Sequence, residues 1–267
     1  MKTLSRIYVW LIYAFLYAPI AVLIFFSFNQ AKSRTVFTGF TLDWYRKLFT
    51  NDVIINATLN TLFVAIVASV AAVLLGTAAA IGITALNRKL RALVVNVSYL
   101  PMMNPDIITG VSLMLLFLFF KMELGFTTLI LAHITFNLPI VIFNVMPKLR
   151  QMDKNVYSAA LDLGCNHTQA LFKVVLPEIM PGITAGFLMS VTYSIDDFVV
   201  SYFTSDAKSQ VLSVVIYSMT RLKVSPEINA LSTIMFTIVL AVLLVVNING
   251  AKKEKLETKK IGGGSVI

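Results

Sequence analysis

The chain has 267 residues, 58% of them hydrophobic and only 13% charged, with a mean hydropathy of +0.83. Soluble domains carry about 25% charged and about 45–50% apolar residues, so this composition excludes an ordinary water-soluble fold and places the chain in lipid. The net charge of +9 sits in short basic clusters between apolar runs rather than on a nucleic-acid surface, and one cysteine (Cys165) with two histidines (His133, His167) excludes a disulfide framework and a Cys- or His-built metal or catalytic cluster.

A transmembrane helix needs about 20 mainly apolar residues. The sequence predicts six, at 7–28, 58–86, 93–120, 128–146, 179–203 and 228–250. The expected fold class is therefore all-α, an integral membrane bundle over residues 1–250 followed by a flexible, lysine-rich tail at 251–267. The first run follows Lys2 and Arg6 and is 22 residues long. A cleaved leader has an apolar core of about 7–15 residues, so this run reads as a retained helix.

With both termini in the cytoplasm, 14 of the 22 Lys and Arg residues fall on the cytoplasmic side. Lys and Arg bias sets orientation, so both termini are expected inside, with outer loops at 29–57 and 204–227 and one long inner loop at 147–178.

In the first outer loop, Trp44 and Tyr45 can offer faces to a cation or serve as interfacial aromatic residues. In the third span, Pro101 and Pro105 break the helix and start a half-helix near Pro105, next to Asp106. Two readings of Asp106 stand. It complements the positive end of a half-helix capped by Asn104, or it serves a transport site built at the break. In the fourth span, His133 and Asn137 are expected to bond across helices.

The inner loop predicts two short helices over 155–177. Val156, Ala159, Ala160 and Leu163 form one apolar stripe. Gly164 breaks the pattern, Asn166 with Gln169 restarts it, and Pro177 is expected to stop it. In the fifth span, Asp196 and Asp197 lie about 10 Å below the outer interface at about 1.5 Å per residue. On a continuous helix they point about 100° apart, so at most one faces a central path and the other is left for a neighbouring helix or subunit. A carboxylate at membrane depth costs roughly 2.5–3.5 kcal/mol, and no Lys or Arg inside a span pairs with these three.

Ser158-Ala159-Ala160, Gly164, Val174 and Leu176-Pro177, at fixed spacing, resemble the EAA loop of ABC-importer permeases. The resemblance implies a coupling loop at 155–177 that docks on a nucleotide-binding subunit through Ser158, Ala159, Ala160, Asp162, Gly164, Val174, Leu176 and Pro177. Ser158 stands where that family often has Glu, so the salt bridge such a Glu makes does not carry over. A partnerless interfacial hairpin is the plainer alternative.

Much of the chain is similar to the spermidine/putrescine branch of that family, specifically its second membrane subunit. The similarity is carried by Met102-Met103-Asn104-Pro105-Asp106-Ile107, His133-Ile134-Thr135-Phe136, Ser194-Ile195-Asp196-Asp197 and Val224-Ser225-Pro226-Glu227-Ile228-Asn229-Ala230. It implies a bacterial inner-membrane subunit moving a linear polyamine by alternating access, with Asp106, Asp196, Asp197, Ser194, Trp44 and Tyr45 on the substrate path. The implied partners are a second homologous permease subunit, two copies of a cytoplasmic ATP-binding subunit and a periplasmic polyamine-binding protein. No catalytic residue, metal or cofactor is expected on this chain. It has no Gly-rich loop ending in Lys-Ser or Lys-Thr, so ATP and its Mg belong to the partners. Competing expectations are an ion-gradient-driven transporter, which needs no coupling loop, a membrane enzyme with paired aspartates, and an ABC permease for another cation or an amino acid.

Overall fold

The computed structural model describes residues 2–31, 36–222, 226–238 and 240. All its regular elements are helical, apart from one isolated antiparallel bridge between Asn29 and Phe40. The chain divides into two compact units, Met1–Ile55 with Ser218–Ile267, and Asn56–Tyr217.

In the first unit, α1 (Lys2–Ser27) exposes its side chains from Arg6 to Pro19. A face of this kind is stable when lipid covers it, each large apolar side chain then gaining about 1.5–3 kcal/mol. The chain leaving α1 folds around α2 (Asp43–Leu48). The buried Trp44 ring donates its Nε1–H to the Asn29 carbonyl at 2.8 Å, and Lys47 Nζ lies 4.7 Å from the Trp44 ring centroid. Tyr45 stacks on Phe28 at 5.2 Å, with its hydroxyl 2.6 Å from Ser27 Oγ. This unit also holds a helix over 226–238. Apart from residue 240, the remainder of the expected 228–250 span, and the whole 251–267 tail, lie outside the described residues.

The second unit is built on α3 (Asp52–Ala85), whose Ala65, Ala68, Ala72 and Ala80 are fully buried and let neighbouring helices approach closely. Arg91 clasps the C-terminal end of α3 by donating to the carbonyls of Ile83, Thr84 and Leu86. There α4 (Arg88–Met103) begins, capped by the Asn87 side chain on the Leu90 N–H at 3.0 Å. Then follow α5 (Asp106–Phe119) and α6 (Phe126–Gln151). The third span is broken near Pro105 as expected, α4 and α5 meeting at a bend of 103°, while Pro101 stays inside α4.

The inner loop forms α7 (Lys154–Asp162) and α8 (His167–Ala170). Gly164 takes φ +87°, the left-handed region where a side chain is strained. Asn166 and Gln169 exchange both bonds of a capping box, at 2.8 and 3.1 Å, and Tyr157 OH lies 3.0 Å from His167 Nδ1 across the hairpin. Pro177 does not stop the helix. A π turn at Leu171–Val175 leads directly into α9 (Leu176–Asp196), and the Leu176 N–H reaches back five residues to the Leu171 carbonyl. Proline sits in the first turn of α9, where its missing N–H costs least, and the widened turn supplies the register change. After α9 come α10 (Val199–Thr204) and α11 (Leu212–Leu222), the latter inside a stretch expected to be loop.

The core of this unit joins α3, α6 and the π turn with α9 through Ala72, Ala80, Val141, Val145, Val175 and Ile179. Among the described residues, four helices are long and apolar enough to cross a membrane, or five if the bent α4–α5 pair is one span.

Candidate functional site

Two helix breaks make the site. At the first, Pro105 forces Asn104 into extended backbone (ψ 141°), which ends α4, and α5 restarts at Asp106. Pro105 occupies the N-cap position and no side chain caps α5, so the expected Asn104 cap is not formed. Asp106 lies in the first turn of α5, where the helix dipole favours a carboxylate.

The second break has no proline or glycine. Helix α9 ends at Asp196, Asp197 is extended (φ −62°, ψ 123°), and α10 begins at Val199. Asp197 Oδ2 accepts from the Ser201 N–H at 2.7 Å and from its hydroxyl at 2.8 Å, while Oδ1 accepts from the Val200 N–H at 3.3 Å. The carboxylate thus takes over amide groups that a continuous helix would bond internally. From α11, the Ser213 hydroxyl donates to the Asp197 carbonyl at 2.7 Å. The expected continuous 179–203 helix is corrected accordingly.

Gly110 brings the two breaks together. A Cβ there would lie 3.0 Å from the Phe203 ring and 3.3 Å from Val200 Cα, so α10 approaches α5 more closely than a side chain allows. Asp106, one turn earlier, is thereby placed beside the start of α10.

The result is a cleft of about 360 Å³ lined by Asp106, Asp196 and Asp197 and walled by Phe136, Tyr193 and Phe198. Among the described residues, no Lys or Arg lines it. Asp106 and Asp196 are exposed, whereas the Asp197 side chain is only 12% exposed and tied to α10. Opening the helix between Asp196 and Asp197 lets both face one space, which adjacent positions on a continuous helix do not. Three carboxylates with aromatic walls, and no basic side chain among the described lining residues, suit a positively charged, partly apolar ligand.

Behind the cleft, fully buried His133 on α6 places Nδ1 2.5 Å from Ser194 Oγ and Nε2 3.0 Å from Ser201 Oγ. Ser194 is buried against this ring and is not a lining residue. His133 bonds across helices as expected, but Asn137 does not: its buried side-chain N and O find no hydrogen-bond partner. Trp44 and Tyr45 are held by contacts within the first unit. The aromatic residues that line the cleft were missed in the sequence, where each reads as one more apolar residue of a span. Among the described residues, no three His, Cys, Asp or Glu side chains are grouped to hold a metal.

In the inner loop, Ser158, Ala159, Ala160 and Asp162 lie on α7. Gly164 forms the turn, Val174 lies in the π turn, and Leu176 and Pro177 open α9. Leu163 is 87% exposed at the tip of the hairpin, and Phe172 is exposed beyond it.

Residues 72–249 match the family described as binding-protein-dependent transport system inner membrane component. The chain is 38% identical to the spermidine/putrescine transport system permease protein PotC of Haemophilus influenzae, over 91% of this chain and 94% of the relative. It is 36% identical to the putrescine transport system permease protein PotI of Escherichia coli K12, over 83% of this chain and 82% of that one. Its fold resembles a chain from a bacterial ABC transporter involved in the import of the acidic polysaccharide alginate, with a TM-score of 0.73 at 16% identity, covering 92% and 95% of the two chains. With most of its length matched and its apolar helices built for lipid, the chain belongs to the binding-protein-dependent transport system inner membrane components, the membrane permease subunits of ABC importers.

Proposed function

We propose that this chain is a polyamine permease subunit, and that the cleft at the two helix breaks is where the ammonium groups of the substrate meet the protein. The observation that carries this reading is the lining itself: three carboxylates, three aromatic rings and no basic residue, in a chain similar to spermidine/putrescine permeases. A polyamine is a row of ammonium groups joined by methylenes. Asp106 and Asp196, exposed in the cleft, neutralise ammonium charge. Phe136, Tyr193 and Phe198 receive the methylenes and add cation–π attraction of about 0.5–2 kcal/mol per contact. The electrostatic preference reads charge and spacing rather than one particular polyamine.

Six transmembrane helices with both termini in the cytoplasm complete the reading, supported by the excess of Lys and Arg on that side. The α7–α8 hairpin then faces the cytoplasm and docks on an ATP-binding subunit. Its exposed Leu163 and Phe172, beside the small residues Ala159 and Gly164, form a surface that a partner groove can cover. Two such ATPases act on this chain and on a second, homologous permease subunit. Their closure moves α7–α8, the continuous π turn carries that movement into α9, and α9 ends at the carboxylates of the cleft. A periplasmic binding protein delivers the polyamine from the other side.

The test is uptake of labelled spermidine into vesicles carrying the whole complex and its binding protein. Uptake should require ATP and be suppressed by excess putrescine but not by neutral amino acids. Uptake indifferent to ATP would overturn the importer reading, and ATP-driven uptake of a neutral amino acid with no polyamine transport would overturn the substrate.

A further inference from the structure

The hydrogen bonds behind the cleft carry a direction that the substrate reading does not use. Asp197 Oδ2 is a carboxylate oxygen and only accepts, so the single hydroxyl proton of Ser201 is committed to it at 2.8 Å. Ser201 Oγ must then accept from His133 Nε2 at 3.0 Å, which places the ring proton on Nε2. In the neutral ring Nδ1 is then the acceptor, and Ser194 Oγ, 2.5 Å away, donates to it. The chain runs one way, from the Ser194 hydroxyl through the His133 ring and the Ser201 hydroxyl to the Asp197 carboxylate. It links α6, the last turn of α9 and α10. His133 Nε2 is itself only 3.8 Å from Asp197 Oδ2, and its ring lies 4.9 Å from that of Phe136, a wall of the cleft.

We infer that His133 is a positioning residue for cation recognition: as the neutral Nε2–H tautomer, it sets Ser201, and through it the Asp197 carboxylate, in the geometry the cleft requires. The inference rests on the proposed reading of the cleft. A buried histidine bonded to two serines has an ordinary structural role in helix packing. Here, however, the hydrogen-bond chain ends on a group that lines the cleft, the Asp197 carboxylate, which accepts from the Ser201 hydroxyl. Without the Nε2–H, Ser201 has no donor to fix its rotamer. Its hydroxyl can then turn away from Asp197, and the second break loses one of the bonds that hold the carboxylate at the cleft wall.

The test is a double-mutant cycle in the reconstituted complex, reading ATP-dependent spermidine uptake, with co-purification of the partner subunits as the measure of assembly. His133→Leu removes both ring bonds and should lower uptake about 10-fold, the scale on which outer-shell partners act. His133→Gln keeps an N–H donor at the Nε2 position and should return uptake to within about 3-fold of the unmodified complex. Ser201→Ala removes the middle link without altering the ring and should reproduce the His133→Leu loss, so the inference stays open to test if the leucine variant fails to assemble. In an Asp197→Asn background, His133→Leu should cost no more than about 2-fold further, because the group it positions has already been changed. A purely structural role would instead multiply the two losses and leave glutamine as poor as leucine, and either result overturns the inference. Full uptake by both His133→Leu and Ser201→Ala also overturns it, while leaving the cleft reading intact. Full uptake by Asp197→Asn would instead overturn Asp197's part in the cleft reading, and this inference with it.

Discussion

The two helix breaks line one cleft and are made in different ways. At Asn104–Pro105 the interruption is covalent: proline has no N–H to give and excludes the helical conformation from the residue before it. At Asp197–Phe198 nothing in the local backbone forbids a helix. The interruption is held by a side chain, the Asp197 carboxylate, which accepts the amides of Val200 and Ser201, with Ser213 closing on its carbonyl. The first break is intrinsic to its segment and the second depends on tertiary contacts. A cleft lined by one fixed and one hydrogen-bonded junction has a rigid wall and a wall that can rearrange. The rearrangeable one is continuous with the inner loop through α9.

That difference orders the expected effects of mutation. The largest is Asp197→Ala, which removes a cleft charge and the bonds that hold the second break; α9 and α10 should merge and ATP-dependent uptake should fall by about 100-fold or more, the combined scale of a lost buried charge and a lost cap. Next is Pro105→Ala. With the steric bar gone, α4 and α5 can straighten from their 103° bend, and uptake should drop about 10-fold. If uptake survives Pro105→Ala and spectroscopic distance measurements still report the bend, the first break is not covalent in origin and the contrast fails. Smaller again is Gly110→Ala, whose methyl group presses on Phe203 and Val200 and should destabilise the α5–α10 contact by about 1–3 kcal/mol, seen as faster amide exchange in α10. Smallest is Asn166→Ala, which removes one half of the hairpin capping box, costing about 1 kcal/mol. It should loosen α8 and weaken ATPase docking slightly without altering which cations compete for uptake.

What the sequence made legible follows the same division. The proline break and the inner-loop hairpin could be read because their causes are local: a missing N–H at Pro105, a left-handed turn at Gly164, and the three-residue spacing from Asn166 to Gln169. Pro177 misled because proline ends a helix only from its interior. The π turn before it places it in a first turn, and that turn is a matter of register rather than of residue type. The second break was not legible, since Asp197 in a run of apolar residues reads as a buried charge and not as a cap. Its partner Ser213 is 16 residues away, and the His133 bonds span 61 and 68 residues. Trp44 and Tyr45 were conspicuous as aromatic residues in an outer loop, and their contacts with Asn29, Phe28 and Lys47 are local to the first unit. Phe136, Tyr193 and Phe198 have no such conspicuousness, and only the meeting of α6, α9 and the second break sets them around the three aspartates.

On the proposed reading, the exposed carboxylates of the cleft recognise cationic charge. The most direct measurement is ATP-dependent uptake of labelled spermidine by vesicles carrying the assembled complex with Asp106→Asn and Asp196→Asn, singly and together. These changes keep side-chain size and leave the bonds of Asp197 to α10 untouched. Each single variant should lose about 10-fold and the double variant about 100-fold, with the complex still assembling and still hydrolysing ATP. Uptake by the double variant equal to that of the unmodified complex would contradict that reading, because a cation path that works without these two charges does not run through this cleft.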